Sequence, residues 1–123
     1  MEGEYLNGEM NGRVKEYHKN GKLEFEGDYL NGERHGKGEE FNKYNGKLEF
    51  EGEYLYGKRH GKGKEYNQNG DIKFEGEYFY GKRWDGKIKE YYDNGELLFE
   101  GEYKNGKRWN GKVIIIMVIW IMK

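Results

Sequence analysis

Two histidines in matching slots, a surplus of carboxylates and two glycine–lysine–glycine segments are the residues here whose types could do chemistry. His35 and His60 each precede such a segment, in neighbouring and nearly identical stretches of chain. Two imidazoles could begin a metal site. If the stretches are hairpins of one sheet, however, equivalent slots lie two strands apart, roughly 9–10 Å. That is too far for both rings to reach one ion through bonds of about 2 Å. Trp84 and Trp109 fill the corresponding region of the later stretches, after one inserted residue, and His18 stands alone in a turn. A slot that takes His or Trp reads as a packing or stacking surface. The 23 acidic residues could supply an acid/base pair, but such a pair needs two unlike environments. Repeated surroundings give each carboxylate nearly the same one, and a flat single layer offers no deep pocket. Gly36-Lys37-Gly38 and Gly61-Lys62-Gly63 invite a phosphate, yet a phosphate loop opens a helix, and no helical pattern follows either segment.

Composition narrows the field further. The 123 residues include no Ser, Thr or Cys, which removes the usual nucleophiles, and no Pro or Ala. Without Cys there is no disulfide framework and no thiolate metal site. Twelve Tyr and three Trp interleaved with Lys and Arg could stack single-stranded nucleic acid. But 22 basic residues balance 23 acidic ones, so nothing draws the chain toward a polyanion over distance. The expectation is no enzyme activity, no catalytic residue, no cofactor, no metal and no nucleic-acid partner. The richness in Lys, Asn, Ile, Tyr, Phe and Glu suggests an AT-rich genome.

The elements that would position these residues follow from one recurring phrase. It reads Gly3-Glu4-Tyr5, Gly27-Asp28-Tyr29, Gly52-Glu53-Tyr54, Gly76-Glu77-Tyr78 and Gly101-Glu102-Tyr103, at steps of 24, 25, 24 and 25 residues. A fixed period in this range marks a stacked array whose units bury their apolar faces against one another. Within a unit, Leu23, Phe25, Gly27 and Tyr29 alternate with Glu24, Glu26 and Asp28, the pattern of a half-buried strand. Asn31-Gly32 follows, a strong hairpin signal because both central residues of a type I′ turn need positive φ. The return strand, Glu33 to Phe41, breaks parity: Gly36 and Gly38 share a face that Phe41 does not. A bulge or bend at the glycines reconciles them. Tyr and Phe of one strand are expected to cover Gly of the next. The acidic outer face of one strand (Glu75, Glu77) and the basic one of its neighbour (Lys82, Arg83, Lys87, Lys89) place opposite charges across the ladder. The expected fold is all-β: an antiparallel β-hairpin repeat array forming an elongated, twisted, single-layer meander sheet over residues 1–113. Its repeats start near 3, 27, 52, 76 and 101, the last one partial.

The stretch from Phe50 to Gly63, Phe-Glu-Gly-Glu-Tyr-Leu-Tyr-Gly-Lys-Arg-His-Gly-Lys-Gly, resembles a MORN repeat (membrane occupation and recognition nexus), closest to the variant type. In-phase copies extend the resemblance over residues 1–113. It implies a twisted antiparallel sheet, and a role in scaffolding, dimerisation, or attachment of an enzyme or membrane contact. The function expected is a non-catalytic scaffold for protein–protein interaction or assembly. The alternatives implied are an antitoxin-like inhibitor or regulator of a partner protein, and a peripheral phospholipid-binding module. A protein partner is expected, and membrane lipid is a weaker candidate. Arg83, Trp84, Arg108, Trp109, His35 and His60 are the expected contact surface, since aromatic residues and Arg are the usual interface anchors.

Both ends depart from the repeat. Met1-Glu2-Gly3-Glu4-Tyr5 starts mid-strand, and Ile114 to Lys123 replaces the expected continuation with an apolar run. Shifted by one nucleotide, codons for Met117-Val118 force a Gly in the neighbouring frame. The tail is expected to be an out-of-frame copy of the missing half repeat in a truncated or frame-shifted chain, the alternative being a true capping strand or a membrane-associated tail. An open edge and a β-branched tail favour self-association through the sheet edge or the tail. The acidic start carries no signal-peptide pattern and no apolar run reaches about 20 residues, so a cytoplasmic location is expected.

Overall fold

The period-two alternation becomes ten strands. They are β1 (Glu2–Leu6), β2 (Glu9–Tyr17), β3 (Leu23–Leu30), β4 (Glu33–Phe41), β5 (Leu48–Leu55), β6 (Lys58–Tyr66), β7 (Ile72–Phe79), β8 (Lys82–Tyr91), β9 (Leu97–Lys104) and β10 (Lys107–Val113). The computed structural model describes residues 1–113, and side chains for residues 1–108. The apolar tail, with the frame-shift reading and the self-association expected of it, lies outside the described residues. All ten strands form one sheet in chain order, each antiparallel to its neighbours. The expected all-β meander is what the chain adopts. Among the described residues no helix is long and apolar enough to cross a membrane.

Five two-residue turns close the hairpins, and both residues of each have positive φ, as a type I′ turn demands. Three are Asn-Gly (Asn7-Gly8, Asn31-Gly32, Asn105-Gly106) and two are Tyr-Gly (Tyr56-Gly57, Tyr80-Gly81). Each turn after the first also bonds to the hairpin before it. The Gly32 amide donates to the Met10 carbonyl (2.9 Å), Gly57 to Arg34 (3.0 Å), Gly81 to Arg59 (2.7 Å) and Gly106 to Trp84 (3.0 Å). The turns are thus stitched into a second, shorter ladder along one end of the sheet.

The parity break in the return strand is resolved by a bulge. Gly27 pairs with Gly38 and Tyr29 with Arg34, so one residue of β3 faces three of β4. The β5–β6 pair repeats this with Gly52, Gly63, Tyr54 and Arg59. The extra residues include Gly36 and Gly61, at φ of 81° and 93°, a conformation that costs glycine little. In β8 the extra residue is Trp84, between the pairs Glu77–Asp85 and Tyr78–Arg83.

One face of the single layer carries the core. Phe25, Phe50 and Phe74 are fully buried, each with its ring tip against a cross-strand pair of glycines. A Cβ on Gly63 would fall 2.7 Å from the Phe50 ring and 2.9 Å from Tyr78. The expectation that rings of one strand cover glycines of the next holds, and it explains how one layer buries aromatic rings without a second sheet. Tyrosines link the hairpins edge to face. Phe25 meets Tyr54 at 5.3 Å, Phe50 meets Tyr78 at 5.2 Å and Phe74 meets Tyr103 at 5.7 Å, with ring planes 86–89° apart. Each contact adds about 0.5–1.5 kcal/mol beyond the area buried.

Candidate interaction surfaces

Above the buried rings runs a ladder of charged residues that joins each hairpin to the next. In the last four return strands the first arginine lies on the aromatic face. Arg34 lies over Phe25 at 4.1 Å, Arg59 over Phe50 at 4.0 Å, Arg83 over Phe74 at 5.0 Å and Arg108 over Phe99 at 4.5 Å. Each guanidinium reaches a glutamate of the preceding hairpin. Arg59 donates to both oxygens of Glu40 (3.0 and 3.1 Å), Arg83 to both of Glu65 (2.8 Å each) and Arg34 to both of Glu16 (2.9 and 3.3 Å). Arg108 donates to Glu90. A tyrosine hydroxyl completes each of the first three sets: Tyr29 donates to Glu16 at 2.5 Å, Tyr54 to Glu40 and Tyr78 to Glu65. No buried side-chain N or O lacks a hydrogen bond among the described residues. Sequence reasoning missed this triad. Its signal was a Glu thirteen or fourteen residues before each Tyr and an Arg five after it, repeated with the unit.

The triads are pH-sensitive by construction. Burial pushes the Glu40 and Glu65 carboxyls up, but the Arg59 or Arg83 guanidinium and the Tyr54 or Tyr78 hydroxyl more than offset it, holding both below the ordinary carboxylate value. Burial, and then the neighbouring carboxylate, raise the tyrosines. Tyr29 is pushed up to about 12, and Tyr54 and Tyr78 go higher still. A depressed carboxyl contributes stability that is present above its unfolded value and lost as pH falls through the folded one. A raised tyrosine contributes stability that is present below its unfolded value of 10.0 and lost as pH rises through the folded one. Denaturant midpoints measured across pH should therefore form a plateau from the carboxylate range to about pH 10, falling on both sides. A midpoint still rising above pH 10 would contradict the triad geometry.

The opposite face is charged. It carries an open groove of about 760 Å³, lined by Arg13, Lys37, Glu51, Lys62 and Glu75 among others, over Gly38, Gly52 and Gly63. The expected pairing of opposite charges holds at part of the ladder, early at Lys15–Glu26 and Lys37–Glu53 and later at Glu75–Lys87, while Lys82 and Arg83 face Phe79 and Tyr78 instead. Lys62 faces Glu77, Lys64 faces Glu75 (3.7 Å between side chains), Lys87 faces Glu102 and Lys89 faces Glu100. It fails where Glu26, Glu39 and Glu51 stand in consecutive register, and where Glu77 faces Asp85. Among the described residues no group of three or more His, Asp or Glu is placed to hold a metal ion.

A third surface lies at the turn end. His60 accepts the Tyr80 amide on Nδ1 at 3.0 Å and packs its ring, tilted by 42°, against Tyr80 (4.4 Å) and Phe79 (5.6 Å). Trp84, pushed out as the bulge residue, packs on Phe79 at 4.9 Å. Phe79 and Tyr80 remain 40% and 47% exposed, so the cluster is anchored yet open to solvent. Of the six residues expected at a contact surface, His60 and Trp84 meet here through Phe79. His35 holds the His60 slot one unit earlier, on β4, part-exposed. Arg83 is placed elsewhere, on the aromatic face and 22% exposed, while Arg108 in the same position is 49% exposed. Trp109 is a β10 residue paired with Glu102, and its side chain lies outside the described residues.

Comparison with known proteins agrees with this geometry. The MORN repeat variant matches residues 10–31 and 84–105, and the MORN repeat matches residues 25–46 and 50–72. No curated protein matches the chain. MORN repeats generally serve protein or membrane interactions, and the family is generally non-catalytic. With more than half of its residues inside these matches, and the hairpin repeat running through all of them, the chain belongs to the MORN repeat family.

Proposed function

We propose that this protein is a non-catalytic repeat scaffold that mediates protein–protein interaction or assembly through the turn end of its sheet. The observation that supports this most is the cluster of His60, Phe79, Tyr80 and Trp84. Exposed aromatic rings on a rigid support lose little entropy on binding, and such residues dominate interface energetics. His35 extends the surface through the slot that matches His60 one unit earlier, Trp109 is included by its place on β10, and Arg83 and Arg108 lie over Phe74 and Phe99 on the aromatic face. An antitoxin-like inhibitor would be a special case, in which the bound protein is thereby blocked. A cytoplasmic location belongs to the same proposal.

A second reading, a peripheral phospholipid contact, is favoured by Lys58 and Lys82, both exposed and next to the aromatic cluster. Aromatic and basic residues side by side suit an anionic lipid interface. The two readings part in one experiment. The full chain and a His60→Ala, Trp84→Ala variant are used to capture proteins from source cells, and separately mixed with anionic vesicles. The scaffold reading expects a protein retained at least tenfold better by the unaltered chain, with no salt-sensitive sedimentation with vesicles. Equal retention by the variant, or binding to vesicles alone, would sink it.

A further inference from the structure

Nine asparagines in this chain are followed by glycine. That pair carries a reaction of its own. Glycine has no side chain to keep its amide nitrogen away from the neighbouring carboxamide carbon. The nitrogen can attack that carbon and close a five-membered imide. Whether a given pair reacts depends on what already holds the two reacting groups. The glycine amide must leave any acceptor it has, and the turn must open far enough for the ring to close.

Most of the pairs are held. The Gly21, Gly46, Gly70 and Gly95 amides donate to carbonyls three or four residues back in their own loops, at 2.9–3.0 Å. Gly32 and Gly106 donate to the preceding hairpin, at 2.9 and 3.0 Å. Asn11 is held through its side chain, which donates to the Glu9 carbonyl at 3.2 Å and accepts the Asn31 amide at 3.3 Å. Asn7-Gly8 differs. Among the described residues, neither the Asn7 side chain nor the Gly8 amide has a hydrogen-bond partner. The pair closes the β1–β2 hairpin, first in the sheet order, so its turn has no earlier hairpin to bond to. β1 is exposed at every residue, and such edges open most readily.

The second hairpin supplies an internal comparison. Leu6-Asn7-Gly8-Glu9 and Leu30-Asn31-Gly32-Glu33 are the same four residues in the same turn, with φ of 52° at both asparagines. Their reactivity in an unfolded chain is therefore alike, and only the fold separates them. To open, the Asn31 turn must break the Gly32–Met10 bond and the bond from its own amide to Asn11. It also disturbs Tyr29, which is buried.

We propose that Asn7 is a site of spontaneous modification, and that the product releases β1 from the sheet. The Gly8 nitrogen gives up its proton and bonds to Asn7 Cγ, the Cγ–Nδ2 bond breaks, and ammonia leaves with that proton. Water then opens the imide. Attack at Cγ leaves an aspartate. Attack at the main-chain carbonyl carbon leaves an isoaspartate, whose backbone runs through Cβ and Cγ. Either product adds one negative charge. Isoaspartate also lengthens the main chain by one carbon, which a two-residue type I′ turn does not accommodate. The pairs Leu6–Glu9 and Tyr5–Met10 then lose their register. Gly3 packs β1 against the buried face, where a Cβ on it would fall 2.7 Å from Val14 and 3.0 Å from Met10. Release uncovers Val14 and Met10, both buried in the intact sheet, and leaves β2 with an open edge.

For the test, the full chain is held at mildly alkaline pH and digested at intervals. Each Asn-Gly peptide is followed by the mass gained when an amide becomes an acid. Asn7 should convert at least tenfold faster than Asn31. In denaturant the two should convert at the same rate, since their neighbours are identical. Hydrogen exchange should then show the β1–β2 amides of the aged chain at least tenfold less protected than those of the fresh one. An Asn7→Gly chain keeps the positive φ of the turn but has no carboxamide, so its protection should not change with age. Asn31 converting as fast as Asn7 in the folded chain would overturn the proposal, as would a difference that persists in denaturant. So would an aged chain that carries isoaspartate at position 7 and keeps its β1–β2 protection.

Discussion

Phe50→Ala is expected to lower the unfolding free energy by about 3–5 kcal/mol and to divide a single thermal transition into two. Phe50 is fully buried in a sheet with one layer, so no second layer can move in to fill the space. Its ring covers Gly52 and Gly63, meets Tyr54 and Tyr78 edge to face at 5.7 and 5.2 Å, and supports Arg59 at 4.0 Å. Truncation therefore removes the floor beneath the Arg59–Glu40 pair as well as the apolar area. Stability in a repeat array is close to a sum of unit and neighbour terms, and Phe50 carries the contact between the third and fourth hairpins. Weakening that contact lets the two halves melt separately. Calorimetry would show a second peak or a clear broadening. A single sharp transition shifted by less than about 1 kcal/mol would mean that the rings are not the coupling element.

Gly52→Ala should cost on the order of 3 kcal/mol, an unusual penalty for one methyl group. The position is an ordinary strand conformation, so backbone strain is not the cause. Space is: a Cβ there would lie 2.6 Å from the Lys62 carbonyl oxygen, 2.7 Å from the Gly63 Cα and 2.8 Å from the Phe50 ring. Two of these neighbours are backbone atoms of the paired strand and cannot rotate away. Gly70 provides the control. It has φ of 86°, and an added methyl there would meet nothing within 4 Å, so Gly70→Ala should cost only about 1 kcal/mol, through its dihedral alone. Equal losses at the two sites, measured by chemical denaturation, would contradict the ring-over-glycine core.

Much of the fold was legible because it is local and repeated. The Gly-Glu-Tyr phrase set the unit, Asn31-Gly32 set the turn, and the misplaced parity of Gly36, Gly38 and Phe41 called for the bulge found there. The candidate surface was less legible. Arg83 and Trp84 are adjacent in the chain, and an interface role for both followed from their types. Yet the bulge at Trp84 sends its ring toward Phe79 at the turn end, while Arg83 turns onto Phe74 and Glu65. The like-charged row of Glu26, Glu39 and Glu51 was also hidden, since it depends on the pairing of strands from different hairpins.

Period, alternation and turn chemistry by themselves determined that this chain makes a ladder of hairpins with rings over glycines, because each of those signals acts within about 25 residues. Only the tertiary structure decided which arginine meets which glutamate and which aromatic rings stay in solvent. Those outcomes depend on cross-strand register, and a bulge of a single residue exchanges the faces of everything beyond it.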